Sequence, residues 1–264
     1  MKRLLITGAA GALGKVARAR LGHMAETIRL TDIAEMPPAT GNEEIMQADV
    51  ADFDAIRSVV EGCDGIVHLG GKATEGPWET ILNANIVGLY NVYEAARQTG
   101  VKRIIFASSN HAIGFHPREQ TLDATASPRP DTLYGVSKVY GEALASLYHD
   151  KFGIETAIFR IGSCFPEPRD HRMMSTWLSY DDFVRFIESV FMAPRLGCPV
   201  VYGASDNREQ LWDNRLTSYV GWQPQDTSEP HRARLDETKE KPGPNEAAVK
   251  YHGGAFAAFP HPDD

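Results

Sequence analysis

Cysteine is scarce in this chain, three among 264 residues, and Cys63, Cys164 and Cys198 lie too far apart for a C-x-x-C pair. An odd, dispersed set offers no disulfide framework. No H-E-x-x-H or comparable ligand spacing accompanies it, so no metal site is expected and a reducing, cytoplasmic setting fits best. Positive charge is also short, with 27 Lys and Arg against 35 Asp and Glu and a formal charge of −8. That balance opposes polyanionic partners such as nucleic acid or an anionic membrane surface, and any anionic ligand must meet a local cation. No stretch approaches the ~20 apolar residues of a membrane helix, and neither internal repeats nor low-complexity tracts occur. The opening MKRLLITGAAGALG is basic and then apolar like a secretory leader. Its apolar run is short, however, and is broken by glycines that have another use.

What is present is 42% apolar residues, enough to bury the core of one large domain with a small appendage. Short β-rich apolar runs at 3–8, 27–33, 44–50, 65–71 and 102–109 alternate with helical patterns. Near-continuous hydrophobic strands separated by helices indicate a parallel sheet covered on both faces. A polar, proline-rich loop (110–132) precedes a helix from 134 with Gly153 as its C-cap, a strand at 155–162, a helix at 179–194 and a strand at 198–205. The expected fold is therefore α/β: a Rossmann-type doubly wound parallel sheet with a small C-terminal substrate-binding appendage. Residues 1–162 would form the dinucleotide-binding domain and 163–264 the substrate region, with 198–205 returning to the main sheet. Pro, Gly and charge dominate from about 223, an excursion whose role the sequence leaves open.

The glycines that interrupt the N-terminal run are Gly8, Gly11 and Gly14 in TGAAGALG, at the turn from the first strand into the first helix. Glycine there lets backbone N–H groups, with those of Ala12 and Leu13, approach a pyrophosphate at a helix N-terminus. The spacing is G-x-x-G-x-x-G rather than G-x-G-x-x-G, and an ordinary strand-to-helix turn is the competing reading. Asp32, at the end of the second strand beside Ile33, stands where a carboxylate accepts hydrogen bonds from the adenosine ribose. It would repel the extra phosphate of NADP and so favours NAD, although a solvated strand-end Asp is the alternative. Asp49 and Val50, at the end of the third strand, would flank the adenine, with a helix-capping role for Asp49 as the alternative. Leu69, Gly70 and Gly71 close the fourth strand at the same edge.

Further along, LYGVSK puts Tyr134 and Lys138 one helical turn apart, a spacing that chance alone readily produces. Corroboration comes from position. Ligands of an open parallel sheet bind at the carboxyl ends of strands, where Ser108, Ser109, Gly70, Gly71 and the loop after Gly162 all fall.

Taken together, TGAAGALG, DV at 49–50, HLGG at 68–71, NIVGLYNVYEAA at 85–96, FASSNHAIG at 106–114 and YGVSK at 134–138 resemble the short-chain dehydrogenase/reductase superfamily. The likeness is to its extended, epimerase/dehydratase-like branch over roughly 1–205. The active-site serine of that branch precedes the tyrosine by about 25 residues, which selects Ser109 over Ser108. The resemblance implies Tyr134 as general base, Lys138 as the cation that acidifies it, and Ser109 as the donor that holds the substrate oxygen. It also implies Asn85 as an orderer of the lysine and its relay water, with a buried structural amide as the alternative. Ile161, at the end of the sixth strand, and Cys164, just after it, would join the NAD-binding set. Homo-oligomers are common in the superfamily.

Only about 60 residues follow the last strand and no basic, aromatic clamp for a nucleotide is evident, so the substrate is expected to be small. Asn110 and His111 stand where dehydratases of the branch carry acidic residues, which disfavours elimination. The segments RIGSCFPEPRDHRMMSTW and SYDDFVRFIESVF resemble the uronate-oxidising members of the branch. That implies NAD-dependent oxidation of glucuronate or galacturonate at C1 to the aldaric acid lactone, within a shell of Thr74, Ser109, Asn110, His111, Tyr134, Ser163 and Arg172. Arg172 would hold the carboxylate in a planar two-bonded fork, with a surface arginine paired to Asp170 or Glu167 as the competing reading. His111 would hydrogen-bond a sugar hydroxyl or act as a second acid/base. Lys72 and Ala73 follow HLGG where a small polar residue is expected to contact substrate and cofactor, and Thr74 would substitute for it. The rival functions are a nucleotide-sugar epimerase and a non-catalytic dinucleotide sensor.

Overall fold

The computed structural model describes residues 1–262. The strands, in chain order, are β1 (Arg3–Thr7), β2 (Thr27–Thr31), β3 (Glu43–Ile45), β4 (Gly65–His68), β5 (Arg103–Ser109), β6 (Leu122–Asp123), β7 (Glu155–Ile161), β8 (Ser163–Cys164), β9 (Trp177–Leu178), β10 (Val200–Gly203) and β11 (Trp212–Asp213). Seven of them build one parallel sheet in the order β10-β7-β5-β4-β1-β2-β3. The order reverses after β1, as a doubly wound fold requires. The helices are α1 (Ala12–Arg20), α2 (Phe53–Val60), α3 (Trp78–Ile81), α4 (Gly88–Thr99), α5 (Leu133–Phe152), α6 (Met173–Thr176), α7 (Tyr180–Met192), α8 (Arg232–Thr238) and α9 (Ala247–Lys250).

The described residues form two compact units, 1–107 with 140–158 and 196–198, and 108–139 with 159–195 and 199–262. Strands β5 and β7 each begin in the first unit and end in the second. In the first unit Leu4, Leu5 and Ile6 of β1 are fully buried, as expected of a central parallel strand. The apolar stripe Ile56, Val59 and Val60 of α2 packs with α4, which buries Leu89, Val92 and Tyr93. In the second unit Phe159 stacks on Phe186 at 3.6 Å, with Trp222 edge-on to both. The fully buried Asp182 carboxylate there accepts from Arg185, Ser205 and the Gln225 and Asp226 amides.

Several boundaries differ from the sequence reading. The third strand stops at Ile45 instead of reaching 50, so Asp49 lies in a turn beyond it and accepts from the Ala51 amide at 2.9 Å. The helical pattern at 81–100, after the fourth strand, is not one α-helix: residues Leu82–Val87 wind as a π-helix between α3 and α4. Gly153 ends α5 at φ 69° with its N–H on the His149 carbonyl. Among the described residues no helix is long and apolar enough to cross a membrane.

Candidate active site

In the first unit, β1 gives way to α1 through Gly8, which sits at φ 67°. A Cβ on Gly8 would lie 2.6 Å from the Leu69 carbonyl carbon, and one on Gly14 would lie 2.1 Å from the Gly8 carbonyl oxygen. Glycine is thus required twice, for the left-handed turn beside the 69–70 backbone and for seating the helix against it. Gly11 is the N-cap of α1 and no side chain caps that end, so its first N–H groups, including those of Ala12 and Leu13, suit an anion in the field of the helix dipole. Asp32 receives the Ala10 amide on one carboxylate oxygen and the Ala34 amide on the other, both at 2.9 Å. Each oxygen keeps a lone pair for a ribose hydroxyl. Ile33 beside it is 65% exposed.

Gly70 donates to the Thr7 hydroxyl at 3.1 Å and Val50 lies against it, while the Val50 carbonyl is held by the Asn91 amide at 2.9 Å. Gly71 adopts φ 119°, and a Cβ there would meet Asn85 Oδ1 at 2.6 Å. Asn85, within the π-turn, accepts from the Lys72 amide at 2.7 Å and donates to its carbonyl at 3.0 Å. This clamp fixes the chain just after β4. Thr74, two residues on, is exposed, as is Asp49.

In the second unit, Ser109 ends β5 and caps a short 3-10 turn, its hydroxyl accepting the His111 amide at 3.2 Å. The buried Tyr134, near the start of α5, hydrogen-bonds that same Ser109 hydroxyl. Burial pushes the phenol up to about 12, the Ser109 bond opposing the rise and the Asp131 charge adding to it. The Lys138 ammonium lies 5.2 Å from the centroid of the Tyr134 ring. A tyrosine so placed becomes a base only under positive charge.

Arg172 donates to Ser163 Oγ at 3.3 Å and to the His252 carbonyl at 2.7 Å, while its buried Nε has no hydrogen-bond partner. Burial first, then repulsion from Arg118, pushes it down to about 10, so it stays a cation at neutral pH. No carboxylate comes within ion-pair distance of it among the described residues, so neither Asp170 nor Glu167 takes up its charge. Asn110 donates to the His252 carbonyl at 3.2 Å. Ile161 is buried at the end of β7, and burial pushes the Cys164 thiol well up, leaving it inert.

Residues 4–180 match a family described as NAD dependent epimerase/dehydratase. The chain belongs to that family. Its cofactor is NAD, and the glycine cradle, the α1 N-terminus without a side-chain cap and the two-oxygen grip available on Asp32 fit that group. A uronate dehydrogenase of Agrobacterium fabrum is 56% identical over 260 residues, 98% of each chain. A glucuronic acid dehydrogenase structure from Chromohalobacter salexigens is 54% identical with a TM-score of 0.98, covering 100% of this chain and 99% of that one. A uronate dehydrogenase structure from Agrobacterium tumefaciens, a tyrosine-to-alanine mutant complexed with NAD, is 56% identical with a TM-score of 0.97 over 98% of both chains.

For this family member, sequence reasoning passed over the segment that closes the second unit around its polar side chains. His252 is fully buried, accepts the Trp212 indole N–H at 3.0 Å and donates to the Gln120 carbonyl at 2.9 Å, while its own carbonyl serves both Asn110 and Arg172. Phe256 stacks on the His111 ring at 4.1 Å. The signal available was the pair Gly253 and Gly254 in a polar tail, since adjacent glycines mark a close backbone approach. A Cβ on Gly254 would lie 2.4 Å from Arg172 Nε.

Proposed function

We propose that this protein is an NAD-dependent uronate dehydrogenase that oxidises glucuronate or galacturonate at C1 to the aldaric acid lactone. The observation that carries the reading is Arg172, a buried cation with an unpartnered Nε and no ion-paired carboxylate, in the same unit as the Ser109, Tyr134 and Lys138 set. A dinucleotide sensor has no need of that set, and a small acidic sugar accounts for the arginine.

Gly8, Gly11, Ala12, Leu13 and Gly14 would hold the pyrophosphate and Asp32 with Ile33 the adenosine ribose. Asp49 and Val50 would flank the adenine, and Leu69, Gly70, Gly71, Ile161 and Cys164 would line the remainder. When bound, NAD would supply the hydride acceptor for C1 and, in its oxidised form, a positive charge. Tyr134 takes the proton of the anomeric hydroxyl, so that the C1–O bond gains carbonyl character as C1 loses hydrogen. Ser109 donates to that oxygen as charge builds on it. Lys138 stabilises the phenolate, and the Asn85 clamp keeps the chain after Gly71 in register. Arg172 and Ser163 hold the C6 carboxylate, and Asn110, His111 and Thr74 hold ring hydroxyls. We further propose a cytoplasmic homo-oligomer.

The test is NADH formation with purified protein, NAD and a panel of glucuronate, galacturonate, their neutral aldoses and UDP-sugars. Turnover confined to the two acids is expected. Activity on a UDP-sugar without net NADH would replace the reading with an epimerase.

A further inference from the structure

Asp131 takes part in none of the roles assigned above, yet its carboxylate is wholly buried beside the site. Its oxygens lie 2.9 and 3.1 Å from His111 Nδ1, and the Thr132 hydroxyl donates to Oδ1 at 3.1 Å. The seat is built for it. A Cβ on Gly253 would fall 1.6 Å from Asp131 Oδ2 and one on Gly114 2.1 Å from it, and the Gly253 amide is tied to the Gly114 carbonyl at 2.9 Å. His111 is held at three points: Phe256 on the ring face, Asp131 on Nδ1, and the Ser109 hydroxyl accepting its backbone amide. Its Nε2 has no partner among the described residues, and the ring edge lies toward Tyr134 with centroids 5.8 Å apart.

We infer that Asp131 is a positioning residue that fixes neutral His111 as the Nδ1–H tautomer, so that Nε2 offers a lone pair and selects a substrate hydroxyl that donates to it. A carboxylate only accepts, so the hydrogen between the two groups must sit on Nδ1 and Nε2 is left bare. The assignment of a sugar hydroxyl as the donor rests on the uronate reading; the tautomer does not.

The isosteric Asp131→Asn variant separates this from a merely structural role. With Thr132 still donating to Oδ1, the new amide presents N–H to Nδ1, which forces the proton onto Nε2 and turns an acceptor into a donor. The experiment is nitrogen-15 NMR of the His111 ring in the wild type and in Asp131→Asn, with steady-state kinetics on glucuronate and thermal melting of both proteins. The expected result is Nδ1–H in the wild type and Nε2–H in the variant. The variant should melt as a folded protein, with KM raised about tenfold or more and a smaller change in kcat. If the variant does not fold, the wild-type tautomer alone decides. An Nε2–H ring or a doubly protonated ring in the wild type near pH 8, or a folded variant with KM within about twofold of wild type, overturns the inference. A wild type with the Nδ1–H ring but no activity on uronates would leave the tautomer assignment standing and remove the uronate reading instead.

Discussion

Lys138→Met removes the ammonium that lies 5.2 Å from the centroid of the Tyr134 ring while keeping an unbranched side chain of similar reach. With that ammonium in place, burial still pushes the phenol up to about 12, the Ser109 bond opposing the rise. At that value only about one molecule in ten thousand carries a phenolate near pH 8, so turnover depends on cations that lower it. A unit charge about 5 Å from a phenolate oxygen interacts with it by about 3 kcal/mol at an effective dielectric of about 20, which is about two pK units. In the proposed mechanism the deprotonated form is the active one, so turnover should rise with pH through the tyrosine pKa, and losing the cation should carry that limb to higher pH. With saturating NAD and uronate, the acidic limb of kcat should move up by about two units, and kcat near pH 8 should fall about 100-fold. An acidic limb in its original place, with kcat within about threefold of wild type, would refute the reasoning. The cation would then act on something other than the phenol.

Three further outcomes are expected. Tyr134→Phe should abolish turnover while NAD affinity, read by calorimetry, changes by less than about threefold, because the proposed pyrophosphate and ribose contacts lie on the 8–14 turn and Asp32. Arg172→Ala should raise KM for uronates about 100-fold with much less effect on neutral aldoses; equal losses on both would contradict the carboxylate role. Burial pushes His252 down to about 4 from an ordinary value of 6.5. The unfolded chain therefore takes up that proton first as pH falls. Stability present above about 6.5 is lost between there and 4, on the order of 3 kcal/mol, and melting curves of His252→Asn should be flatter across that window than those of the wild type.

The sheet was legible because its determinants are local. The fully buried run of β1, the turn that only glycine can make at position 8 and the helical spacing of Tyr134 and Lys138 are each written within a few residues. The third strand was read too long because Ala48 and Val50 carry apolar residues on beyond Met46, whereas the backbone leaves the sheet at Ile45 and Asp49 bonds its own turn. The π-turn at Asn85 was hidden, since its sequence has ordinary helical periodicity and the clamp of Asn85 on Lys72 spans 13 positions. Least legible was the closing segment. The bond from Asn110 to the His252 carbonyl spans 142 positions, and Asp131 meets His111 across 20, with no periodicity to announce either. Glycines at 114 and 253 become informative only once the carboxylate between them is seen.

The most direct test of a Tyr134-centred oxidation at C1 uses glucuronate deuterated at that carbon, with mass analysis of both the reduced cofactor and the sugar product. Deuterium should appear in the reduced cofactor in a one-to-one ratio with lactone, and turnover of the labelled acid should be slower. Label retained on the sugar while NADH accumulates, or a sugar altered at another carbon with no net NADH, would contradict the account.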